Sequence, residues 1–415
     1  MSAPLPPPNR ADRIPIVDIL RGIALLGILF VNLPLYIAPP DAFFKWQSQI
    51  WWTALPDQLT LLATAILVQG KFYTLFSFLF GVGFGLQQGL AASTADTPEV
   101  LLHYHRRLLV LFCFGLAHFY LLWWGDVLSI YAVLGFLLLR FREASGERLL
   151  RWAVALMIVP LIASLGVITA SHTRADQEKE RQTRAAELVW SNRELHEDVR
   201  IMRSGTYLEI LRHRVRQTAS HWTTNAGWSI ELFANFLLGL WVTRAGILQW
   251  PLVHRFLLRR VFLIGFPTGL ALSAYCNFTF WRRAGAEQSL FVDYCRALNE
   301  FAARPLYAFG LAAGIVLLLG IRERKIRWAT PFQAAGRLAL TNYLMASLVW
   351  TTVANSYGLG LYGKINPLTG LACIVIFFAM QAAFSLLWLR YFRVGPVEWL
   401  WRVLTYGSRV PIRRA

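Results

Sequence analysis

Apolar runs long enough to cross, or nearly cross, a lipid bilayer recur along the whole chain, at 16–37, 72–90, 108–124, 127–140, 151–170, 225–243, 261–281, 304–321, 334–354 and 368–390. A hydrocarbon core of about 30 Å needs roughly 20 helical residues at ~1.5 Å each. Backbone exposed to lipid has no water to bond to, so each run must satisfy its own N–H and C=O groups as a helix. The expected fold is therefore all-α, a polytopic membrane bundle of about ten transmembrane helices. Composition agrees: 56% of the 415 residues are hydrophobic, with 17 Trp and 28 Phe, and mean hydropathy is +0.45. That excludes a soluble enzyme.

The formal charge of +18 would point to nucleic acid in a soluble protein, but here the basic residues fall in short clusters between apolar runs. Placing the N-terminus inside puts His103–Arg107, Arg140–Arg151, Arg244–Arg260, Arg322–Arg327 and the stretch from Arg390 onward in the cytoplasm. The alternate segments, Pro39–Pro56, Gly125–Asp126 and Asn355–Pro367, carry few basic residues, as the positive-inside rule requires. Both termini are then cytoplasmic, the partner is the bilayer rather than nucleic acid, and the expected location is the inner (plasma) membrane. The chain divides into a disordered N-terminus (1–15), membrane helices (16–170), an extracytoplasmic helical loop (171–222), further membrane helices (223–393) and an interfacial cytoplasmic C-terminal segment (394–415). The loop mixes Glu, Asp and Arg with one Lys, has few aromatics, and reads as solvent-exposed helix. Asp57–Gly70 is helical in pattern but too short to cross unaided, and Lys71 beyond it is expected to snorkel to the headgroups. No short apolar region with a small-residue cleavage site follows the Pro-rich start, so the first helix is expected to stay as an anchor.

Ionisable and amide side chains inside apolar runs mark the candidate site, because each costs roughly 2.5–3.5 kcal/mol near mid-bilayer unless it faces protein or water. Asp18, Arg21 and Asn32 share one narrow stripe of the first helix, and Arg21 and Asn32 stand eleven residues, or ~16 Å, apart. Arg107 and His118 repeat that spacing in the third run. His118 is the only histidine deep within an expected span, and such a ring acts as a general base near neutral pH. Asp126 is either the carboxylate that orients it or the N-cap of the next helix. Glu231 and Asn235 share a face of the sixth run, and Arg337, Thr341 and Asn342 crowd the ninth. Arg21, Arg107 and Arg337 lie toward the cytoplasm, where they serve either as anchors or as phosphate ligands. In the C-terminal GPVEWLWRVLTYG, Glu398 is expected to pair with Arg402 on an interfacial helix. Cys113, Cys276, Cys295 and Cys373 have no metal-ligand spacing and are read as free thiols, and no nucleotide-binding, zinc, haem or serine-hydrolase motif is present.

The segments LRGIALLGILFVN, GKFYTLFSFLFGVGFG, GLAHFYLLWWGDVLSIYAVLG, FLLGLWVTRAGIL, GRLALTNYL and GPVEWLWRVLTYG, spread over nearly the whole chain, resemble the YeiB family of bacterial inner-membrane proteins. That family is grouped with transmembrane acyltransferases that include bacterial O-acyltransferases and the lysosomal heparan N-acetyltransferase. The resemblance implies an acyl-CoA donor, no tightly bound cofactor, no metal and a glycan or lipid acceptor. In the related O-acyltransferases an Arg and, after ten residues, a catalytic His lie on the first helix; Arg21 matches and Asn32 stands in place of the His. Asparagine cannot act as a base, which leaves that role to His118, with Asn32 and Asp126 beside it and Asp18, Arg21, Arg107, Arg337, Asn342 and Glu231 as substrate-binding candidates. A secondary transporter and a non-catalytic accessory protein are the other readings. The topology has a direct check: cysteines placed at Glu180 and Lys325 are expected to react with a membrane-impermeant thiol reagent from opposite sides, and labelling from one side would put the span count between them wrong by one.

Overall fold

The computed structural model describes residues 14–40, 43, 52–92, 97–171, 196–216, 218–282, 289–320, 327–407 and 411–414. The expected disordered start and the helical reading of 172–195 lie outside the described residues. A helix covers each of the ten expected spans. They are α1 (Pro15–Ile37), α3 (Lys71–Ala92) preceded by α2 (Leu55–Leu67), α4 (Thr97–Ala117) and α5 (Leu128–Leu138), followed by α6 (Gly146–Ser171). After α7 (196–204) and α8 (Tyr207–Arg216) come α9 (Thr218–Arg244), α10 (Arg255–Arg282) and α11 (Leu290–Gly320). The last four are α12 (Ala329–Arg337), α13 (Ala339–Ala354), α14 (Pro367–Tyr391) and α15 (Pro396–Tyr406). Among the described residues there is no strand, and seven helical runs are long and apolar enough to cross a membrane. The protein is thus an all-α, multi-pass membrane bundle.

Helix continuity departs from the sequence pattern at several points. The ninth expected span is two helices, broken at Leu338, which takes φ −107° and ψ 34°. π-helical turns at His118–Leu122, Val261–Gly265 and Asn299–Ala303 each insert one residue per turn into α4, α10 and α11. Between α2 and α3 the chain turns through Gly70, whose φ of 85° suits glycine, and a Cβ there would also overlap the Arg304 side chain.

Close backbone crossings at glycine help hold the bundle together, two of them beside the cavity. Where α1 meets α12, a Cβ on Gly22 would overlap the Phe332 carbonyl and one on Gly336 would overlap the Asp18 carbonyl. Where α3 meets α9, Gly81 and Gly239 play the same part against the carbonyls of Phe236 and Phe78. Lipid tails are as apolar as leucine, so close backbone approach at small residues supplies the attraction that the hydrophobic effect supplies in water.

Lys71 does not snorkel. It is 1% exposed, and its ammonium donates to the Ala65 carbonyl at the end of α2 (2.6 Å) and to Ser273 Oγ (2.9 Å). The α2–α3 turn sends the side chain inward to carbonyls that a helix end leaves free. Outside the spans, α7 and α8 dock onto 355–366, where Asp198 accepts from Tyr362 Oη (2.6 Å) and pairs with His213 Nε2 (3.0 Å). Cys276 and Cys295 are neighbours and both free thiols.

Gly336→Leu is expected to destabilise the purified protein by about 3 kcal/mol or more in chemical unfolding, because backbone on both sides cannot yield. Gly89→Leu, where an added atom meets none of the described residues, is expected to change it by less than about 0.5 kcal/mol.

Candidate functional site

A cavity of about 1030 Å³ runs through the bundle between α1, α3, α4, α9 and α13. Asp18, Arg21 and Asn32 all line it, so the polar stripe of α1 faces this space. Its walls are otherwise largely aromatic and aliphatic, with polar groups gathered at two ends and along one side.

One end is rich in arginine. Arg21 bonds Asp18 one turn away (3.3 Å), and its guanidinium lies near that of Arg107. Arg107 sits 4.0 Å above the Trp401 ring, whose Nε1 donates to the Arg107 carbonyl (2.9 Å). Arg337 and Arg402 also line this end, with Arg337 donating to the Arg393 carbonyl (3.1 Å). Glu398 does not pair with Arg402 as expected. Its Oε1 accepts from the backbone N–H of Leu340 (2.7 Å) and Thr341 (3.1 Å), where the break at Leu338 exposes the N-terminus of α13. Burial pushes the Glu398 carboxyl above the usual carboxylate range, and the Thr341 and Leu340 donors oppose that shift.

Along the side wall lies a chain of buried hydrogen bonds. Asp126 accepts from Leu128 N (3.1 Å), Ser129 N (2.9 Å) and Ser129 Oγ (2.6 Å), which starts α5, and from His118 Nδ1 (2.9 Å). It is therefore both the cap and the partner of His118. An ionised carboxylate only accepts, so Asp126 accepts a hydrogen bond from His118 Nδ1, and in the neutral ring Nε2 is then the accepting nitrogen. With that neutral ring Ser347 Oγ donates to Nε2 (2.8 Å) and accepts from Tyr36 Oη (2.8 Å), and it also lies 3.4 Å from the Tyr343 carbonyl. Tyr36 in turn adjoins Asn32, one turn back on α1. Both ends of this chain, Asn32 and Asp126, line the cavity, while His118, Ser347 and Tyr36 stand behind Trp123 and Tyr343. The π turn after Ala117 aims His118 this way. Its carbonyls at Tyr120 and Leu121 take Arg214 Nη1 (3.1 Å) and Tyr207 Oη (2.9 Å) from α8.

At the other end, Glu231 accepts from Tyr73 Oη and Thr74 Oγ1, both at 3.1 Å. Arg304 Nη1 donates to the same Tyr73 oxygen (3.2 Å) and stands 3.9 Å from Glu300. Asn342 is not part of the cavity: its amide bonds the Ala335 carbonyl and Ser385 Oγ, both at 3.0 Å, between α13 and α14. Among the described residues no group of three or more His, Cys, Asp or Glu is placed to hold a metal. Sequence reasoning missed Tyr36, Ser347, Arg304 and Arg402 as site residues. Tyr36 alone had a signal, lying four residues past Asn32 on the same face of α1.

Residues 242–408 match a family model described as a protein of unknown function, DUF418. Over 409 residues, 95% of this chain and 97% of the relative, 31% are identical to the uncharacterized protein YeiB of Escherichia coli (strain K12). The chain belongs to the YeiB family. Another relative is the uncharacterized protein YxaH of Bacillus subtilis (strain 168), 34% identical over 424 residues with 99% and 98% of the two chains covered. An uncharacterized 39.9 kDa protein from the amylase 3′ region of Bacillus acidopullulyticus is 26% identical over 416 residues, 97% and 96% of the two chains. No solved structure matches. The matches with these relatives run over both halves of the bundle.

The buried chain is expected to behave as a unit. Ser347→Ala strands His118 Nε2 and the Tyr36 hydroxyl and is expected to cost about 1–3 kcal/mol of stability. Combined with Tyr36→Phe, the loss in equilibrium unfolding is expected to fall short of the sum by about 0.5 kcal/mol or more.

Proposed function

We propose that this YeiB-family protein is a membrane acyltransferase that passes an acyl group from cytoplasmic acyl-CoA to an extracytoplasmic or envelope acceptor. The observation that carries the proposal is a single cavity joining an arginine-rich end to both ends of a buried histidine relay. Arg21 and Arg107, with Arg337 and Arg402 beside them, take the donor's phosphates, since guanidinium matches phosphate oxygens bidentately. The thioester then reaches along the cavity toward Asn32, whose amide positions and polarises the carbonyl. As the acceptor oxygen or nitrogen bonds to the acyl carbon and the C–S bond breaks, the acceptor proton passes into the buried chain whose Asn32 and Asp126 ends face the cavity, His118 Nε2 takes up a proton, and Asp126 stabilises the imidazolium. The reverse relay returns a proton to the leaving thiolate. His118 is thus a base acting at one remove, which differs from direct contact with the acceptor.

A secondary transporter of a small metabolite is the second reading. The break at Leu338 favours it, because interrupted helices with exposed ends at a central cavity are a common transporter device. Uptake of solute into proteoliposomes without acyl transfer would select it.

Acyl-CoA binding to the purified protein is expected to weaken tenfold or more in both Arg21→Gln and Arg107→Gln, about 1.4 kcal/mol each. His118→Gln is expected to retain that binding and lose about 10² to 10⁴ of the transfer rate, measured with labelled acyl-CoA. Wild-type transfer in His118→Gln would make the residue structural, and no acyl-CoA binding by the wild type would remove the acyltransferase reading.

A further inference from the structure

The cavity is not closed by protein on every side. α6 packs on α9 near its start, through Leu149 and Ala153, and beyond Ala153 all of its residues are exposed or half-exposed. Pro160, in the middle of α6, nevertheless lines the cavity, together with Gly227 and Ile230 of α9. Ile230 is 42% exposed, and a Cβ on Gly227 would touch none of the described residues. Among the described residues, the cavity therefore reaches the outside of the bundle between α6 and α9. Pro160 lies fourteen residues, or ~21 Å, past Gly146, so the opening faces hydrocarbon rather than water.

Immediately inside this opening is the Glu231–Arg304 end. Two carboxylates, Glu231 and Glu300, stand against the single guanidinium of Arg304. Arg304 Nε is buried with no hydrogen-bond partner among the described residues, a donor left over in an apolar setting. The Trp228 ring meets Tyr73 edge-on at 4.7 Å and forms the adjoining wall. A ligand that satisfies this set carries an anionic oxygen for Arg304, an ammonium with N–H donors for the carboxylates and the Trp228 face, and apolar tails that stay in the bilayer.

We propose that this end of the cavity is a headgroup site for a zwitterionic aminophospholipid that enters sideways from the membrane between α6 and α9. Its phosphate is held by Arg304 and its primary amine by Glu231 and Glu300. The site lies apart from the arginine-rich end, and lipid binding there does not require acyl transfer.

The full-length protein, reconstituted in nanodiscs containing equal parts phosphatidylethanolamine, phosphatidylcholine and phosphatidylglycerol and then extracted, is examined by native mass spectrometry for retained lipid. Phosphatidylethanolamine is expected to be retained at least about fivefold over the other two, roughly 1 kcal/mol. Glu231→Gln, which keeps an acceptor oxygen for one of the two hydroxyls of Tyr73 and Thr74, and Arg304→Gln are each expected to abolish that preference. Gly227→Trp, which fills open space at the entrance, is expected to slow loading of fluorescent phosphatidylethanolamine from the bilayer without lowering thermal stability. Equal retention of the three lipids, retention favouring phosphatidylglycerol, or an unchanged preference in Glu231→Gln would overturn the proposal. Acyl-CoA binding measured on the same sample reports separately on the transfer reading.

Discussion

A carboxylate inside a lipid-embedded bundle must be given donors by the protein, because no bulk water reaches it, and this constraint organises the structure. Asp126 takes two backbone amides, a hydroxyl and an imidazole. Glu398 takes the exposed amides at the start of α13, and Glu231 takes two hydroxyls from α3. For Asp126 and Glu398 the requirement is met by breaking or bending something. The backbone amides come from helix ends brought inward, and the imidazole comes from a π turn. The π turns at His118–Leu122 and Asn299–Ala303 and the break at Leu338 lie at the cavity or next to its lining, where an irregular backbone is tolerated because it faces protein or a polar space rather than lipid.

The same constraint sets direction along the side wall. With Asp126 ionised and the His118 ring neutral, Nδ1 donates to Asp126 and Nε2 accepts from Ser347, which directs the chain toward the imidazole. Arg214 and Tyr207 of α8 reach the carbonyls freed by the π turn that carries His118. The segment joining the two sets of membrane helices therefore bears on the relay's geometry from outside the spans.

Much of the architecture was legible from pattern. The ten apolar segments all became helices, and the Asp18–Arg21–Asn32 stripe of α1 does turn toward a cavity. Such inferences are local, since a 3.6-residue period places residues on a face wherever the helix goes. Lys71 and Glu398 were misread for the complementary reason. Snorkelling and a four-residue ion pair are the local options for a lysine at a helix start and a glutamate before an arginine. Tertiary contacts offered Lys71 the end of α2 together with Ser273, and Glu398 the start of α13. Asn342 sits on a helix that touches the cavity, yet Ser385 and the Ala335 carbonyl draw its amide to the other side.

By itself, the sequence determined that this protein is a helical bundle in a membrane, which helix faces are polar and that His118 is its one deeply placed imidazole, because hydropathy and helical period are properties of neighbouring residues. Only the tertiary structure decided what those polar groups meet. Ser347 lies 229 positions from His118 and Tyr36 lies 311 from Ser347, and neither distance leaves a trace in local periodicity. The π turn at His118 and the break at Leu338 were likewise invisible, since both depend on donors and acceptors supplied by distant elements: Arg214 and Tyr207 in one case, Glu398 in the other.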